Sequence, residues 1–171
     1  SLINEKNKHT LEAINITPAT IGEIFTAKGT VGAVLALFMG VLTLVISGQF
    51  HASFLSLILV MGLGALMAAE LGLIAGAYIK DMNTLFALWK FGGLLLFGPA
   101  VIYMFPQIPQ WIGYIFPTYY VIKPVVDLSI NGLGLNSIIL ELVILIAIVA
   151  VIMILVNRIV VKLSTQALRL N

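Results

Sequence analysis

Four long apolar runs, separated by short polar segments, dominate the chain. They cover residues 31–47, 54–79, 85–104 and 138–156. A helix needs roughly 17 to 25 residues to cross the hydrocarbon core of a bilayer, and the four runs meet that requirement. The pattern therefore predicts an all-α integral membrane fold, with four transmembrane helices in one domain that covers residues 1–171.

The basic residues divide unevenly between the two sides that four crossings define. Eight of the nine lysines and arginines fall on the side of the chain ends, and only Lys123 falls on the other. Cytoplasmic loops carry the excess of positive charge, so we expect a multi-pass protein of the plasma membrane with both ends in the cytoplasm. The short links at 48–53 and 80–84 predict that the first and second spans, and the second and third, pack as antiparallel neighbours.

The polar segment 1–30 leads directly into the first span. Thr17 and Pro18 are typical of a helix start, and Thr20 and Glu23 have the spacing of a capping box. These signals predict an amphipathic cytoplasmic helix before the first span. The chain starts with Ser and has no signal-peptide pattern, so we interpret it as the later part of a longer polypeptide.

The segment 105–136 is broken by prolines and is rich in aromatic residues. Its prolines are Pro106, Pro109, Pro117 and Pro124. They argue against an unbroken crossing, whereas residues 111–116 have helical spacing over about two turns. We expect a short re-entrant or interfacial helix on the outer side, with Trp and Tyr rings at headgroup depth. An ordinary outer loop with an aromatic anchor is the alternative.

The composition excludes most soluble functions. Hydrophobic residues make up 61% of the chain and charged residues 9%, against about a quarter charged in soluble domains. The net charge of +2 is scattered, so we expect contact with membrane lipid and no nucleic-acid partner. With no cysteine and two widely separated histidines, we expect no disulfide, no metal site and no catalytic residue.

Glu70 is the conspicuous charge inside a predicted span. It precedes Lys80 by ten residues, which is about 15 Å of helix, so it lies near the predicted bilayer midplane. A carboxylate there costs roughly 2.5 to 3.5 kcal/mol to insert, and it must face protein or water. Glu70 either lines a transport path, where it could also carry a proton, or forms a structural hydrogen bond to a neighbouring helix.

Small residues recur every four positions along the first two spans. The two stripes are Gly32, Ala36 and Gly40, and Gly64, Ala68, Gly72 and Gly76. Small stripes let helix backbones approach closely in lipid, either within one subunit or between subunits. Near the start of the last span, Glu141 is placed to stabilise a helix N-terminus.

Two segments carry a likeness to a known family. The first contains Thr10, Leu11, Glu12, Thr17, Pro18, Glu23 and Lys28 before a span, and the second contains Pro106, Pro109, Trp111, Pro117 and Tyr119 between the last two spans. In order and spacing they resemble the membrane subunits of ATP-binding cassette (ABC) transporters of the type 2 export class. Two departures are Ala27, where the family has Gly before Lys, and Phe116, where it usually has Asn before Pro.

The resemblance implies a permease subunit that forms the translocation path with a second permease subunit, as a homodimer or a heterodimer. It also implies that the first segment couples to a separate ABC ATPase, and that the second forms the outer re-entrant helix. The chain has no P-loop, because Gly22 to Lys28 lacks the second Gly. ATP and magnesium are therefore expected on the ATPase, with no cofactor and no enzymatic activity on this chain. An ion-coupled carrier or channel that uses Glu70 is the alternative, and the cargo stays open.

Overall fold

The computed structural model describes residues 20–48, 53–79, 81–105 and 107–168, and helices joined by short turns make up these ranges. The helices are α1 (Ile21–Ile46), α2 (Phe54–Tyr78), α3 (Met82–Met104), a 3-10 helix (Gln110–Ile115), α4 (Tyr119–Ser129), a second 3-10 helix (Leu135–Ile138) and α5 (Ile139–Leu168). The predicted all-α fold is confirmed. All four predicted spans form helices, with ends that differ from the predicted ones by a few residues, except for longer extensions of α1 and α5.

Within the described ranges, three helices are long and apolar enough to cross a membrane: Gly22–Ile46, Phe54–Tyr78 and Leu135–Thr165. Their outward faces carry large apolar side chains, including Val34, Phe38, Leu66, Val151 and Ile154, each at least 45% exposed. Exposed apolar surface on this scale is unsuited to water and suits lipid contact.

Helices α1 and α2 pack as antiparallel neighbours, as predicted. A Cβ added to Gly32 would lie 3.7 Å from the Ala69 Cβ, and one added to Gly40 would lie 2.8 Å from the Met61 Cε. The first distance is an ordinary van der Waals contact, and the second would displace the flexible end of the Met61 side chain. Gly32 and Gly40 thus lie at a contact within this chain, as the first of the two interpretations held.

The hydrophobic core lies between α2 and α5. Its buried members are Leu44, Leu57, Val60, Met67, Leu128, Ile138, Leu145, Val149 and Ile152. At the end where both helices begin, the Ser53 hydroxyl donates to the Leu133 carbonyl oxygen at 3.0 Å. Helices α2 and α5 therefore run in the same direction, and the chain returns from one to the other through α3 and α4.

Helix α4 is an element that the sequence did not predict, because its Pro124 was interpreted as a break. Pro124 is instead buried within the helix, as its sixth residue. A proline at that position removes only one helical hydrogen bond, and the clash that it causes affects one carbonyl group. The burial of Tyr119 and Leu128 on the same helix compensates for this loss.

The expectation that the second and third spans pack side by side is wrong. Helix α3 packs against α4 and the first 3-10 helix, whereas α4 packs against α2. At Gly64 of α2, an added Cβ would lie 2.9 Å from the Val121 Cγ1 of α4, so α4 occupies this flank of α2. The backbone is extended at Ile79, which ends α2, and at Asp81, which caps α3.

The capping box at the start of α1 is confirmed. The Glu23 amide donates to the Thr20 hydroxyl oxygen at 3.2 Å, and the Thr20 amide donates to the Glu23 carboxylate at 2.7 Å. From Thr20 onward there is no separate cytoplasmic helix, since α1 continues without a break to Ile46. The expected helix around Thr17 and Pro18 lies outside the described residues.

Candidate functional site: an apolar cleft and an ion cluster

A cleft of about 650 Å³ lies between α1, α2 and α5. It lies towards the end of the bundle where α1 begins and where α2 and α5 end, because Gly22, Leu73 and Val160 are among its lining residues. Its walls are mostly apolar, with Phe25 and Met153 among them. This volume is within the range of about 300 to 1,000 Å³ that is typical of sites for small organic molecules.

Glu70 is the single charged residue among those that line the cleft. Its carboxylate oxygen Oε2 is buried and has no hydrogen-bond partner among the described residues. The sequence left two roles for Glu70 open, and the structure places it on a cavity wall. In the part of the chain that the structure describes, Oε2 accepts no structural hydrogen bond from a neighbouring helix.

Three uncharged polar residues share the cleft with Glu70. The Thr26 hydroxyl donates to the Gly22 carbonyl oxygen at 2.9 Å, and the Thr30 hydroxyl donates to the Thr26 carbonyl oxygen at 2.8 Å. Both bonds lie within α1, and both residues line the cleft. Asn157 of α5 is exposed and lies on the opposite wall from α1 and α2. The cleft therefore combines one acidic group with a largely apolar surface.

A buried ion cluster lies near the far end of the bundle, between α4 and α5. Lys123 Nζ contacts Asp127 Oδ2 at 2.9 Å and Glu141 Oε1 at 2.6 Å. The Asn131 amide donates to the other Asp127 oxygen at 3.0 Å. Burial disfavours the charged amine, but the bonds to Glu141 and Asp127 outweigh this effect and raise the pKa of Lys123. The cluster fastens α4 to the start of α5.

Four tyrosine rings cluster at the start of α4, whose first two residues are Tyr119 and Tyr120. The Tyr119 ring is 1% exposed, and the rings of Tyr114 and Tyr120 meet it edge-on, with centroid distances of 5.1 and 5.6 Å. The Tyr103 ring lies 6.4 Å away. Such tilted and edge-on pairs are the favoured arrangements of aromatic rings. The first 3-10 helix is thus attached to α4 and α3 through aromatic packing.

The predicted short helix of the aromatic segment is confirmed as the 3-10 helix Gln110–Ile115, with Pro109 as its N-cap residue. Trp111 is 63% exposed and Ile115 is 73% exposed, so this helix presents an apolar outer face. Pro117 is also exposed, whereas Tyr119 is buried in α4. Pro106 lies outside the described residues.

The predicted coupling residues are only partly within the described ranges. Glu23 and Lys28 lie in the first two turns of α1, where Glu23 forms the capping box. The other members, Thr10, Leu11, Glu12, Thr17 and Pro18, lie outside the described residues. Lys28 is half-buried, on the same helix as cleft residues Thr26 and Gly29.

The sequence analysis missed the ion cluster. Glu141 does lie in the first turn of α5, as its assignment to a helix N-terminus required, but its carboxylate also pairs with Lys123. One signal was available, because Lys123 and Asp127 have the i, i+4 spacing of a helical ion pair. The spacing indicates an ion pair only if residues 119–129 form a helix, and the prolines in this segment argued against a helix.

Three helices that are long and apolar enough to cross a bilayer define the class of helical membrane proteins. The comparison with sequence families then gives its identity: the model described as "Fluoroquinolones export permease protein Rv2686c-like" matches residues 1–162. The chain belongs to this family of export permeases, as the resemblance to ABC export permeases predicted. No curated protein and no solved structure matches the chain.

Proposed function

We propose that this protein is the permease subunit of an ABC exporter that moves fluoroquinolone-like drugs across the plasma membrane. The observation that carries this proposal is the family match over residues 1–162, together with a drug-sized cleft among the apolar helices. The cleft forms part of the translocation path, and Glu70 is the charged group that lines it. Fluoroquinolones are the cargo in the name of the family, and their planar aromatic rings suit apolar walls.

Helix α3 provides a fourth crossing in this proposal. It has 23 residues, or about 34 Å of helix, which is enough to cross the hydrocarbon core. Four crossings put both described ends of the chain in the cytoplasm, with the cleft in the cytoplasmic half and the ion cluster at the outer surface. Exposed Trp111 and Tyr114 suit an outer headgroup region, where aromatic rings are enriched.

The energy for transport comes from a separate ATPase subunit, which carries ATP and magnesium. Residues 10–28 are the contact for that subunit, and the unbroken α1 passes its motion to the cleft because Thr26 and Glu23 lie on one rigid helix. A second permease subunit completes the path. The open positions on α2, among which a Cβ added to Gly72 meets nothing within 4 Å, leave room for it.

The test is cross-linking in cells that express the chain with its ATPase. The chain has no cysteine, so single cysteines at Glu12 and Thr20 give unambiguous sites. We expect both to capture the ATPase, while a cysteine at Gly134, near the other end of the bundle, does not. Labelling of Glu12→Cys and Thr20→Cys from outside the cell only would refute both the orientation and the docking site.

A further inference from the structure

The cleft presents one unpaired acid to an otherwise apolar cavity. Glu70 Oε2 is buried and lacks a protein partner, and the Thr26 and Thr30 hydroxyls are already donated to backbone oxygens. No lysine, arginine or histidine is among the residues that line the cleft. Within the described part of the chain, the acid therefore has no counter-ion in the cavity that it faces.

A carboxylate in apolar surroundings is stable only when it is protonated or paired with a cation. The cation that fits this cavity is an organic one. A metal ion such as Ca²⁺ requires six to eight oxygen ligands, whereas the cleft offers one carboxylate, two engaged hydroxyls and the amide of Asn157. An anionic headgroup would be repelled by Glu70.

We propose that the cleft selects amphiphilic molecules that carry a protonated amine, and that Glu70 determines this selectivity by pairing with that amine. The aromatic or alkyl body of the cargo lies against apolar wall residues, among them Phe25, Leu63 and Met153. This inference rests on the proposed function for the role of the cleft and adds the chemistry by which cargo is recognised. Because an ion pair is strong in a low-dielectric cavity, the amine makes a large contribution to selectivity.

The test is a binding measurement on the purified full chain in nanodiscs of zwitterionic lipid, without ATPase. The probes are norfloxacin, a zwitterion with a carboxylate and a protonated piperazine amine, and norfloxacin acetylated on that amine, which keeps the ring system and the carboxylate but not the cation. The change in drug fluorescence gives the Kd. We expect norfloxacin to bind at least tenfold more tightly than its acetylated form.

Glu70→Gln removes the charge and keeps the shape of the side chain. We expect it to weaken norfloxacin binding at least tenfold and not to weaken binding of the acetylated drug, whose carboxylate no longer meets the charge of Glu70. The matched control is Asp81→Asn, which removes a carboxylate outside the cleft, at the start of α3, and should keep the wild-type preference. Asn157→Asp adds an acid to the cleft and should increase the preference for the amine, which provides a second test if Glu70→Gln folds poorly.

Equal binding of the two drugs by the wild type would overturn the inference, and so would a preference for the amine that survives in Glu70→Gln. Either result is compatible with ATP-driven export and leaves the proposed function standing. Conversely, if the protein binds norfloxacin selectively but shows no ATP-dependent transport, the proposed function is refuted and the inference stands.

Discussion

At the scale of single residues, Lys123 is the most tightly paired ionic group among the described residues. It holds two acids that are each about 90% buried on their side chains, one on α4 and one on α5. Removing the lysine would leave Asp127 and Glu141 buried near each other without their cation. Loss of one member of such a group usually costs about 3 to 5 kcal/mol.

We therefore expect Lys123→Met to lower the free energy of unfolding by about 3 kcal/mol. Thermal unfolding of the purified protein in detergent measures the change. Lys162→Met is the control, because Lys162 is an exposed lysine on α5. If the two variants unfold at the same temperature, the cluster does not hold α4 to α5.

The pH dependence of this cluster follows from the raised pKa of Lys123. Its two ion pairs outweigh the effect of burial, so the amine releases its proton at higher pH in the folded state than in the unfolded one. The resulting stability is complete below the unfolded pKa of about 10.4 and is lost as pH rises through the folded pKa. The stability difference between wild type and Lys123→Met should thus stay constant from about pH 7 to 9. A difference that falls within this interval would contradict the assignment.

The residue scale also shows how far sequence reasoning reaches. The cost of placing Glu70 in a membrane was sufficient to predict that it faces protein or a cavity, and it lines the cleft. Pairing between Lys123 and Glu141 was not predictable, because it joins two helices across a turn whose path depends on α4. Burial cost acts on one residue alone, whereas an ion pair depends on the tertiary arrangement of both partners.

At the scale of helices, the contact between α2 and α4 depends on Gly64. A Cβ there would lie 2.9 Å from the Val121 Cγ1, which is closer than side chains tolerate, whereas at Gly72 of the same helix it would meet nothing within 4 Å. Val121 is β-branched and has little rotamer freedom to move away. Gly64 therefore lies at a close helix contact and Gly72 faces open space, so the same substitution at both positions makes a controlled comparison.

We expect Gly64→Ala to destabilise the protein by about 1 to 3 kcal/mol because α4 must shift. Gly72→Ala should be neutral or stabilising by up to about 1 kcal/mol, since Ala favours helix. Thermal unfolding and light scattering of both variants measure stability and oligomeric state. Equal stability of the two variants would contradict the close contact, and loss of a dimer in Gly72→Ala alone would assign that position to a subunit interface.

The helices themselves were largely predictable, because a membrane helix needs a minimum length of apolar residues and the runs show that length directly. Which helices pack against one another was not predictable. Helix α4, with Pro124 in its interior, takes the place beside α2 that sequence order assigned to α3. A short link brings helix ends together, but it does not fix which helix faces pack along their length.

At the scale of the whole molecule, the proposed topology has four crossings, so both described ends of the chain lie on the cytoplasmic side of the membrane. We expect single cysteines at Thr20, Asp81 and Lys162 to be labelled from the cytoplasmic side, and one at Gly134 from outside the cell. Residues 1–171 contain no cysteine, so every label within them reports one site. Gly134 lies between α4 and α5. Cytoplasmic labelling there would place it on the same side of the membrane as Thr20, Asp81 and Lys162, and would reject the four-span arrangement.

The measurement that tests the central claim most directly is drug transport into inside-out vesicles that contain this chain and its ATPase. We predict that norfloxacin accumulates only when ATP and both chains are present, and that replacing the P-loop lysine of the ATPase abolishes the accumulation. A proton gradient alone should not replace ATP. Accumulation by this chain without the ATPase, driven by the gradient, would contradict the ABC permease and would identify an ion-coupled carrier instead.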